Sequence, residues 1–308
     1  MPEPPVLFVV GDAESDRRGR LERRCADAAS SHGLGPRFLE RPRGAQDWRD
    51  RIVTEVRSAV DEGARLVVAV GGDGTIGAAA QGLWGTQAAL GVVPTGAANL
   101  FARSLSIPFD LDSALEAAFL GRTRAVDLAV ADGRAVVAMA GIGVDAAVVA
   151  STTTASKEAL GWASYGLATL PHLFDRPRRF ELRLDGGRAT KVEAQSVIVA
   201  NTGQLPAGLA LSPMARADDG LLDVAVLAPR GPLGWLVLLF EMAQSGHLPV
   251  AAGRPGPLQA RSVAISAEAA LPRQVDGEAL PPGRELAVQV LEAALSVRVP
   301  LAPPRQRP

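Results

Sequence analysis

Residues 66–80, LVVAVGGDGTIGAAA, run from an apolar strand pattern through a glycine-rich turn into small residues that suit a helix. A turn of this kind presents unpaired backbone N–H groups at the positive end of a helix dipole, which favours an anionic phosphate. A nucleotide is therefore the expected occupant of the turn. The residues of the turn are Gly71, Gly72, Asp73, Gly74 and Thr75.

The carboxylate of Asp73 conflicts with a phosphate bound at the same turn. Two like charges 4 Å apart repel each other by roughly 4 kcal/mol at an effective dielectric constant near 20. A Mg²⁺ ion held between the carboxylate and the phosphates would offset that repulsion, because this cation takes oxygen ligands from both. The alternative is a tight strand-to-helix turn in which Asp73 caps the helix, and the spacing alone leaves both interpretations open.

A second carboxylate, Glu278, follows Gly277 in the stretch VDGE. The glycine frees the backbone to turn, so we expect the Glu278 side chain to project from a loop rather than to lie along a strand. A carboxylate within hydrogen-bond reach of an alcohol can accept its proton as the alcohol attacks a phosphate. Glu278 is thus a candidate general base, and the alternative is an exposed acid in a hairpin.

Three further acids lie close together in ADDGLLDV, residues 217–224, where a glycine turn leads into a strand pattern. Carboxylates at this spacing often cap a turn. They can also share a divalent cation, which relieves their mutual repulsion and takes backbone carbonyl oxygens as additional ligands. The three acids are Asp218, Asp219 and Asp223.

The chain shows two patterns of secondary structure. From residue 6 to about residue 127, short apolar β-type runs alternate with helical stretches, which predicts βαβ units and a parallel sheet. From about residue 128, strand-like runs dominate and predict a mostly antiparallel second domain, with RRFELRL and ATKVEAQSVIVAN joined by a turn at 185–187. The predicted domains are residues 1–127, residues 128–299 and a flexible tail at 300–308.

Composition excludes several classes of protein. With 308 residues, 47% of them hydrophobic, the chain is long enough to bury a sizeable core. Lys and Arg total 32 against 33 Asp and Glu, so no strong net field attracts nucleic acid. The single cysteine, Cys25, excludes an internal disulfide, and His32, His172 and His247 are too scattered for a zinc site.

The apolar stretches bear on the cellular compartment and on the substrate. The stretch MPEPPVLFVV lacks the basic region and apolar length of a secretory signal, which predicts a cytoplasmic protein. The most apolar run, residues 235–240, falls well short of the ~20 residues that a membrane-spanning helix needs. Residues 234–243 are apolar on nearly every face and predict a helix that is buried or lines an apolar cavity. Together with residues 160–174 it would form a slot for acyl chains, and the alternative is core packing.

Several motifs, in order, resemble the bacterial diacylglycerol-kinase-like family of lipid kinases. GGDGT at 71–75 is similar to the nucleotide signature that diacylglycerol, sphingosine and ceramide kinases share with NAD kinases and, more distantly, phosphofructokinases. PTGAANLFARSL at 94–105 resembles the second loop of the bacterial family, and AGIGVDAAVV at 140–149 resembles its glycine-rich segment at the start of the second domain. The later matches are residues 201–224, SGHLPV at 245–250 and QVDGE at 274–278. The resemblance covers nearly the whole chain and implies an α/β nucleotide-binding domain with a parallel sheet, then a mostly antiparallel β-sandwich domain, with the active site in the cleft between them.

The resemblance also implies roles for the acidic residues. Glu278 matches the family's general base. Asp127, in RAVDLAV, matches an aspartate that joins a water-mediated Mg²⁺ network with the aspartate of the glycine loop, here Asp73. On spacing alone, Asp127 fits a strand-end acid that faces solvent equally well.

Nucleotide and metal ligands follow from the same resemblance. Asn99 matches the family's loop asparagine, which we interpret as holding the loop's shape near the nucleotide. A structural Mg²⁺ is implied at the Asp219 side chain, with the carbonyl groups of Arg216 and Leu221 as further ligands. The implied nucleotide-binding residues are Gly71, Gly72, Asp73, Gly74, Thr75, Gly96 and Asn99.

Two loops depart from the family pattern. The family's Asn-Pro-x-Ser-Gly turn after the first strand is replaced by GDAESD at 11–16, whose three acids would repel ATP, and Arg17 and Arg18 are candidates to compensate. The second loop usually reads Gly-Thr-x-Asn, whereas Ala97 here lacks the hydroxyl. One lost hydrogen bond costs about 0.5–1.5 kcal/mol. Both changes leave room for another nucleotide or a slow enzyme.

The sequence therefore predicts an ATP- and Mg²⁺-dependent lipid kinase that phosphorylates a hydroxyl of diacylglycerol or a related lipid. We expect transient contact with a membrane surface, no nucleic-acid partner, and a homodimer as one possible assembly. The alternatives are an NAD-kinase-like enzyme, which uses the same glycine loop with a polar acceptor, and a lipid-binding regulator that kept the fold and lost turnover.

Overall fold

The computed structural model describes residues 3–11, 15–42, 47–144, 146, 175–205, 210–212, 214–248 and 258–302. Contacts between residues divide the chain into two units: unit 1 comprises Met1–Val126 and Ala293–Pro308, and unit 2 comprises Asp127–Glu292. The chain thus returns to unit 1 at its C-terminal end, whereas the domains predicted from the sequence place residues up to 299 in the second domain. Residues 160–174, assigned above to an acyl slot, lie outside the described residues.

Unit 1 is a parallel sheet with helices between its strands. In chain order the elements are β1 Pro5–Val10, α1 Ser15–Ser31, β2 Gly35–Glu40, α2 Trp48–Asp61, β3 Leu66–Gly71, α3 Asp73–Leu83, β4 Ala89–Pro94, α4 Leu100–Ser104 and α5 Leu111–Leu120. The strands lie in the order β2-β1-β3-β4. Strands β1, β3 and β4 are buried over most of their length, as expected of a parallel sheet that is covered on both faces, whereas β2 at the edge is partly exposed. The alternation of strands and helices confirms the predicted βαβ organisation.

The last residues of strand β14, Glu278–Val299, complete the sheet of unit 1. Val297 pairs in parallel with Leu90 of β4. The Arg298 guanidinium donates hydrogen bonds to the carbonyl oxygens of Ala118, at 3.2 Å, and Phe119, at 2.7 Å, which lie in the last turn of α5. A cation at this end of a helix satisfies carbonyls that have no partner within the helix. The C-terminal strand therefore covers the edge of β4 and caps α5.

Side chains from β1 and α1 form the core of unit 1. Phe8 is fully buried in β1 and stacks on Phe38 of β2, with ring centroids 5.1 Å apart. Cys25 of α1 is fully buried in the same cluster, beside Val6 and Val10. Burial, and secondarily the charge of Glu22, raises the pKa of the Cys25 thiol to about 12.

Unit 2 is built mainly from antiparallel strands, as predicted. In chain order the elements are β5 Arg122–Ala131, β6 Arg134–Val136, β7 Met139–Gly143, β8 Arg178–Leu184, β9 Thr190–Ala194, β10 Ser196–Ala200, β11 Leu222–Leu227, α6 Gly231–Ser245, β12 Leu258–Ala260, β13 Ser262–Val275 and β14 Glu278–Val299. Strands β10, β7 and β13 lie side by side, β11 and β12 extend the sheet beyond β10, and β8 and β14 both pair with β13.

The stretch ATKVEAQSVIVAN, expected as one strand, forms two. It breaks at Gln195, whose N–H donates to the Leu227 carbonyl at 2.7 Å and whose carbonyl accepts from Val144 at 3.0 Å. At this residue the chain changes partners, because β9 pairs with β8 whereas β10 pairs with β7 and β11. The apolar and β-branched residues of this stretch predict strand structure. They do not indicate that the strand changes its pairing partners, because pairing depends on residues distant in the sequence.

Three Asp-Gly pairs in unit 2 adopt the left-handed conformation at both residues. The φ angles are 48° and 75° at Asp132 and Gly133, 49° and 67° at Asp185 and Gly186, and 49° and 76° at the third pair, 276–277. Two successive positive φ angles are typical of the type I′ turn that joins antiparallel strands. The predicted turn at 185–187 is among them.

Within the described residues, no helix is both long enough and apolar enough to cross a membrane.

We expect Cys25 to be unreactive toward thiol reagents in the folded protein. The raised pKa leaves the thiol protonated at pH 8, and burial excludes the reagent. A chromogenic disulfide reagent should therefore titrate one thiol only after a denaturant is added. Stoichiometric reaction within minutes in native buffer would contradict the packing of α1 against β1.

Candidate active site

The glycine turn after β3 is packed too tightly for side chains. A Cβ atom on Gly96 would lie 2.4 Å from the Cα of Gly72, and one on Gly71 would lie 2.7 Å from the Cβ of Thr75. A Cβ on Gly11, at the end of β1, would lie 2.9 Å from the Thr75 hydroxyl oxygen. Real Cβ contacts do not occur at such distances, so glycine is required at Gly96 by the Gly72 backbone and at Gly71 and Gly11 by the Thr75 side chain. The turn after β3 and the loop after β4 are thus in direct contact.

Helix α3 begins at Asp73, with Gly72 as its N-cap residue. The N-cap residue is a glycine and offers no side-chain cap to this end of the helix. The first N–H groups of a helix have no acceptor within it and carry the positive end of the helix dipole. The N-terminus of α3 therefore has the backbone chemistry of a phosphate site, as the sequence indicated.

The Asp73 carboxylate binds the backbone of the second loop. Its Oδ2 accepts a hydrogen bond from the N–H of Leu100 and its Oδ1 one from the N–H of Phe101, both at 3.0 Å. Asp73 is 8% exposed, and burial raises the pKa of its carboxyl, while the bonds from Phe101, Leu100 and its own backbone N–H and the charge of Arg103 act in the opposite direction. Asp73 thus caps α4, the helix of the neighbouring loop, as well as accepting from its own N–H at the start of α3.

Asn99 closes the second loop on itself. Its Oδ1 accepts from the N–H of Gly96 at 2.9 Å, and its Nδ2 donates to the Gly96 carbonyl at 2.7 Å. Asn99 has a φ of 50°, a left-handed conformation that asparagine tolerates better than most residues. The Thr95 N–H donates to the Gly71 carbonyl at 3.1 Å, which joins this loop to the glycine turn.

The atypical segment after β1 is described only in part. Residues 12–14 lie outside the described residues, so two of the three acids noted there have no structural account. Arg18, a candidate to compensate their charge, forms a salt bridge with Glu40 of β2. Its guanidinium is therefore already engaged with a carboxylate.

Asp127 is buried within β5 and does not face solvent. Its Oδ2 accepts from the N–H of Gly220 at 2.7 Å, and its own N–H donates to the Ala217 carbonyl at 2.7 Å. Its carbonyl accepts from the side-chain amide of Asn201 at 3.0 Å. Asp127 therefore anchors the loop that carries the acidic cluster, and the solvent-facing interpretation is wrong.

The charge of Asp219 affects the protonation of Asp223. Burial, and to a smaller extent the Asp127 charge, raises the pKa of Asp219, whose Oδ1 also accepts from the Leu221 N–H at 3.1 Å. Burial raises the pKa of Asp223 to about 6, against hydrogen bonds from Ser212 and Gln259, and the Asp219 charge adds to the rise. Carboxylates thus lie together in this loop with the Arg216 charge acting against the raised pKa of Asp219, and Asp219 also holds a local turn.

The donor chemistry of this loop fits a hard cation. Carboxylate oxygens that repel one another are the ligands that Mg²⁺ and Ca²⁺ prefer. Across the described ranges, no group of three or more His, Cys, Asp or Glu side chains is arranged to hold a metal. A cation here would therefore need backbone carbonyl or water oxygens beside Asp219, as the resemblance implies for the carbonyls of Arg216 and Leu221. Asp218, the third acid, forms a salt bridge with Arg216 at 3.4 Å.

Glu278 is the first residue of β14 and pairs with Val275 across the turn at 276–277. The expectation that it projects from a loop is wrong, because the two-residue turn is so tight that Glu278 already belongs to the strand. One of its carboxylate oxygens, Oε1, is buried, and the residue is neither fully buried nor exposed. The alternative interpretation, an exposed acid in a hairpin, is therefore also wrong.

Asp276 is a buried acid that the sequence pattern did not single out. Its carboxylate accepts hydrogen bonds from the N–H groups of Val137 at 2.9 Å, Ala138 at 2.8 Å and Met139 at 3.1 Å. The Asp-Gly pair predicts a turn, but nothing local in the sequence predicts a partner 137 to 139 residues away. The nearby Asn201, also missed, bridges Asp127 and Val137 through its amide.

Helix α6 leaves much of its apolar surface exposed, contrary to the expectation of a buried helix. Leu233 is 72% exposed and Phe240 is 62% exposed, and Leu236 and Val237 share the same face. On another face, Met242 packs with other side chains in a cluster around Ile198, Ala200, Leu211 and Leu248. Core packing therefore accounts for only one side of this helix.

Comparison with known proteins shows a family. Residues 40–131 match the diacylglycerol kinase catalytic domain, and residues 138–299 match the YegS C-terminal NAD kinase beta sandwich-like domain. A protein of Pseudomonas aeruginosa strain UCBPP-PA14, named "Probable lipid kinase YegS-like", is 34% identical over 274 residues, which cover 84% of this chain and 85% of the relative. The chain belongs to the YegS-like lipid kinase family. The predicted fold class, an α/β domain followed by a β-sandwich domain, is confirmed.

Solved structures give the same fold. A diacylglycerol kinase from Bacillus anthracis strain Sterne superimposes with a TM-score of 0.75 at 20% identity and covers 96% of this chain and 97% of its own. An NAD kinase from Archaeoglobus fulgidus in complex with ATP superimposes with a TM-score of 0.51 at 12% identity, covering 95% and 93%. At these identities the likeness shows the architecture of this YegS-like chain and not its substrate.

Replacing Gly96 with alanine should disrupt the contact between the two loops. The new Cβ would meet the Gly72 backbone at 2.4 Å, and overpacking of this kind costs about 1–3 kcal/mol. Gly19→Ala is the matched control, since its Cβ would meet only the tip of Arg23 at 3.8 Å and would raise helix propensity. Urea unfolding should show a loss of stability, and calorimetric titration a loss of nucleotide affinity, for Gly96→Ala and not for Gly19→Ala. Equal behaviour of the two variants would contradict the packing.

The raised pKa of Asp223 predicts a fall in stability as pH rises. Its carboxyl ionises near pH 4 in the unfolded chain and near pH 6 in the folded one. The folded state therefore binds more protons between these values, and the free energy of unfolding decreases across that window. In EDTA, Asp223→Asn should flatten this decrease.

Asp110→Asn provides a control of opposite sign. Hydrogen bonding to Ser113 lowers the pKa of Asp110, so this group contributes stability above its unfolded pKa and loses it as pH falls. Urea unfolding at pH 4.5 and pH 7 measures the effect of Asp223, and a further measurement near pH 3, below the unfolded pKa of about 3.9, measures the opposite effect of Asp110. An unchanged pH slope in Asp223→Asn would show that Asp223 does not carry the effect.

Proposed function

We propose that this chain is an ATP- and Mg²⁺-dependent lipid kinase that transfers the γ-phosphate to a hydroxyl of diacylglycerol or a related lipid. The observation that carries the proposal is the turn between β3 and α3, where glycine residues lead directly into the N-terminus of a helix. Membership in a family of lipid kinases supports phosphoryl transfer as the chemistry and a lipid as the acceptor.

Unit 1 supplies the proposed nucleotide site. The N–H groups at the start of α3, among them those of Gly74 and Thr75, bind phosphate oxygens in this proposal. Asp73 holds α4 and the second loop in place, and each of its oxygens already accepts one N–H. An ionised carboxylate oxygen has further lone-pair capacity, which leaves Asp73 able to bind a hydrated cation. Its primary contribution is therefore to fix the two loops.

Unit 2 supplies the proposed base and the structural cation site. As the lipid oxygen bonds to the γ-phosphorus and the bond to ADP breaks, Glu278 accepts the hydroxyl proton. Asp219, with the carbonyls of Arg216 and Leu221, would hold Mg²⁺, and Asp127 fixes the same loop through Gly220. The chemistry that bound Mg²⁺ supplies in such enzymes is the neutralisation of phosphate and carboxylate charge.

The exposed apolar residues of α6 support a lipid acceptor. Leu233, Leu236, Val237 and Phe240 are spaced so that they fall on one helical face. Apolar patches of this kind occur at contacts with membranes, ligands or proteins. In the proposed function, α6 contributes to transient contact with a lipid surface.

An NAD-kinase-like activity is the second candidate, because the fold is shared with an NAD kinase solved with ATP. The two candidates differ in the acceptor, which is a polar dinucleotide in one and an oily alcohol in the other. A third candidate, a lipid-binding regulator without turnover, draws its support from the atypical acidic segment at 11–16, which replaces the family's turn after the first strand.

Transfer of label from ATP distinguishes these candidates. The full chain is incubated with Mg²⁺ and γ-labelled ATP in the presence of vesicles containing diacylglycerol, ceramide or sphingosine, and separately with NAD. We expect label in a lipid. Label in NAD would overturn the lipid assignment, and binding of nucleotide and lipid without transfer would favour the regulator.

Glu278→Gln should reduce kcat at least about a hundredfold, because a positioned base contributes roughly that much, with little change in nucleotide affinity. Glu285→Gln is the matched control, since Glu285 is an exposed glutamate on the same strand. Steady-state kinetics and calorimetric titration measure the two effects. An unimpaired Glu278→Gln enzyme would remove Glu278 from the reaction.

A further inference from the structure

The Asp276 carboxylate is a backbone anchor next to the proposed base. Its Oδ2 accepts from Val137, and its Oδ1 accepts from both Ala138 and Met139. Asp276 also donates its own N–H to the Met139 carbonyl at 2.9 Å. Four hydrogen bonds therefore tie one residue of the turn at 276–277 to the segment that leads into β7.

The turn is fixed from its other side as well. Gln274 of β13 accepts a hydrogen bond from the Gly277 N–H at 3.0 Å, and both residues of the turn have positive φ. A non-glycine residue in the left-handed region is strained, so it persists where the surroundings determine it. The hydrogen bonds of Asp276 and Gln274 hold the turn in this conformation. Glu278 follows immediately at the start of β14.

The other two Asp-Gly turns of unit 2 show what is particular to this one. Asp132 forms a salt bridge with Arg273, and Asp185 accepts from the N–H groups of Arg261 and Ser262, both at 2.8 Å. Asp132 and Asp185 are exposed, whereas Asp276 is only 7% exposed. Neither of those turns is followed directly by a carboxylate to which a role in the reaction is assigned. The buried anchor therefore occurs at the turn where the position of the next side chain matters most.

We propose that Asp276 is a positioning residue for Glu278, which rests on the proposed function. By binding the three N–H groups of residues 137–139, Asp276 sets the conformation of the turn and hence the direction in which the Glu278 carboxylate leaves the strand. Displacing a base by about 1 Å can lower the rate on the order of a hundredfold, so a change in the position of Glu278 should be measurable in kcat. Asp276 itself neither accepts the proton nor touches the lipid.

Asp276→Asn tests the proposal with the smallest change in shape. The amide oxygen can still accept from Ala138 and Met139, but the amide NH₂ then faces the N–H of Val137, where two donors meet. We expect kcat to fall at least about tenfold while the KM for ATP stays unchanged, because the nucleotide site is not altered. Asp185→Asn is the matched control and should leave kcat unchanged.

A double-mutant cycle with Glu278→Gln separates positioning from general damage. If Asp276 acts through Glu278, the Asp276→Asn change should have no further effect on kcat once Glu278 has lost its basicity. A purely structural role would lower kcat by the same factor in both backgrounds. Circular dichroism of each variant checks that it is folded before kinetics are compared.

Gln274→Met provides a second variant should Asp276→Asn fail to fold. It removes the acceptor of the Gly277 N–H on the opposite side of the turn and should lower kcat with the same dependence on Glu278.

The outcomes separate this inference from the proposed function. A large loss in Glu278→Gln, together with unchanged kcat in Asp276→Asn and Gln274→Met, overturns the positioning role alone. A loss in Asp276→Asn that is additive with Glu278→Gln, or is matched by Asp185→Asn, also overturns it. An active Glu278→Gln enzyme overturns the base assignment and the inference together.

Discussion

The hydrogen bonds from Leu100 and Phe101 to the buried Asp73 carboxylate hold together the two loops that follow β3 and β4 in unit 1. They connect the first residue of α3 to the first residues of α4, so that two turns remote in sequence are held as one surface. The same two loops are in contact at Gly72 and Gly96, where a Cβ on Gly96 would lie 2.4 Å from the Gly72 Cα. The position of a carboxylate among glycines is thus explained by the architecture of the loops.

The same device recurs in unit 2. Asp127, Asp219 and Asp276 each accept at least one backbone N–H, and Asp127 lies within β5 whereas Asp219 and Asp276 lie in loops. Charge-assisted hydrogen bonds are stronger than neutral ones, and they fix backbone rather than flexible side chains. Carboxylates in this family member therefore perform structural work at the positions where chemistry is proposed. A substitution at any of them alters shape and charge together.

Much of the fold follows from local patterns in the sequence. The alternation in residues 6–127 predicts the parallel sheet, and the glycine turn before α3 predicts a helix N-terminus suited to phosphate. The features that the sequence does not predict depend on partners that are distant in the chain. Gln195 divides one apparent strand because the pairing partners change there, and Asp276 accepts hydrogen bonds from N–H groups nearly 140 residues away. Helix α6 is as apolar as a core helix but exposes one face. Residue type alone does not report any of these partners.

Strand β14 runs without interruption for 22 residues, and its last residues belong to unit 1. The end of α5 therefore receives its partner from a residue 179 to 180 positions further along the chain, and the same strand covers the outer edge of β4. During synthesis, the sheet of unit 1 would present an uncovered edge until unit 2 had been made, and an open edge invites association with other chains. Completion of the parallel sheet is thereby coupled to synthesis of unit 2.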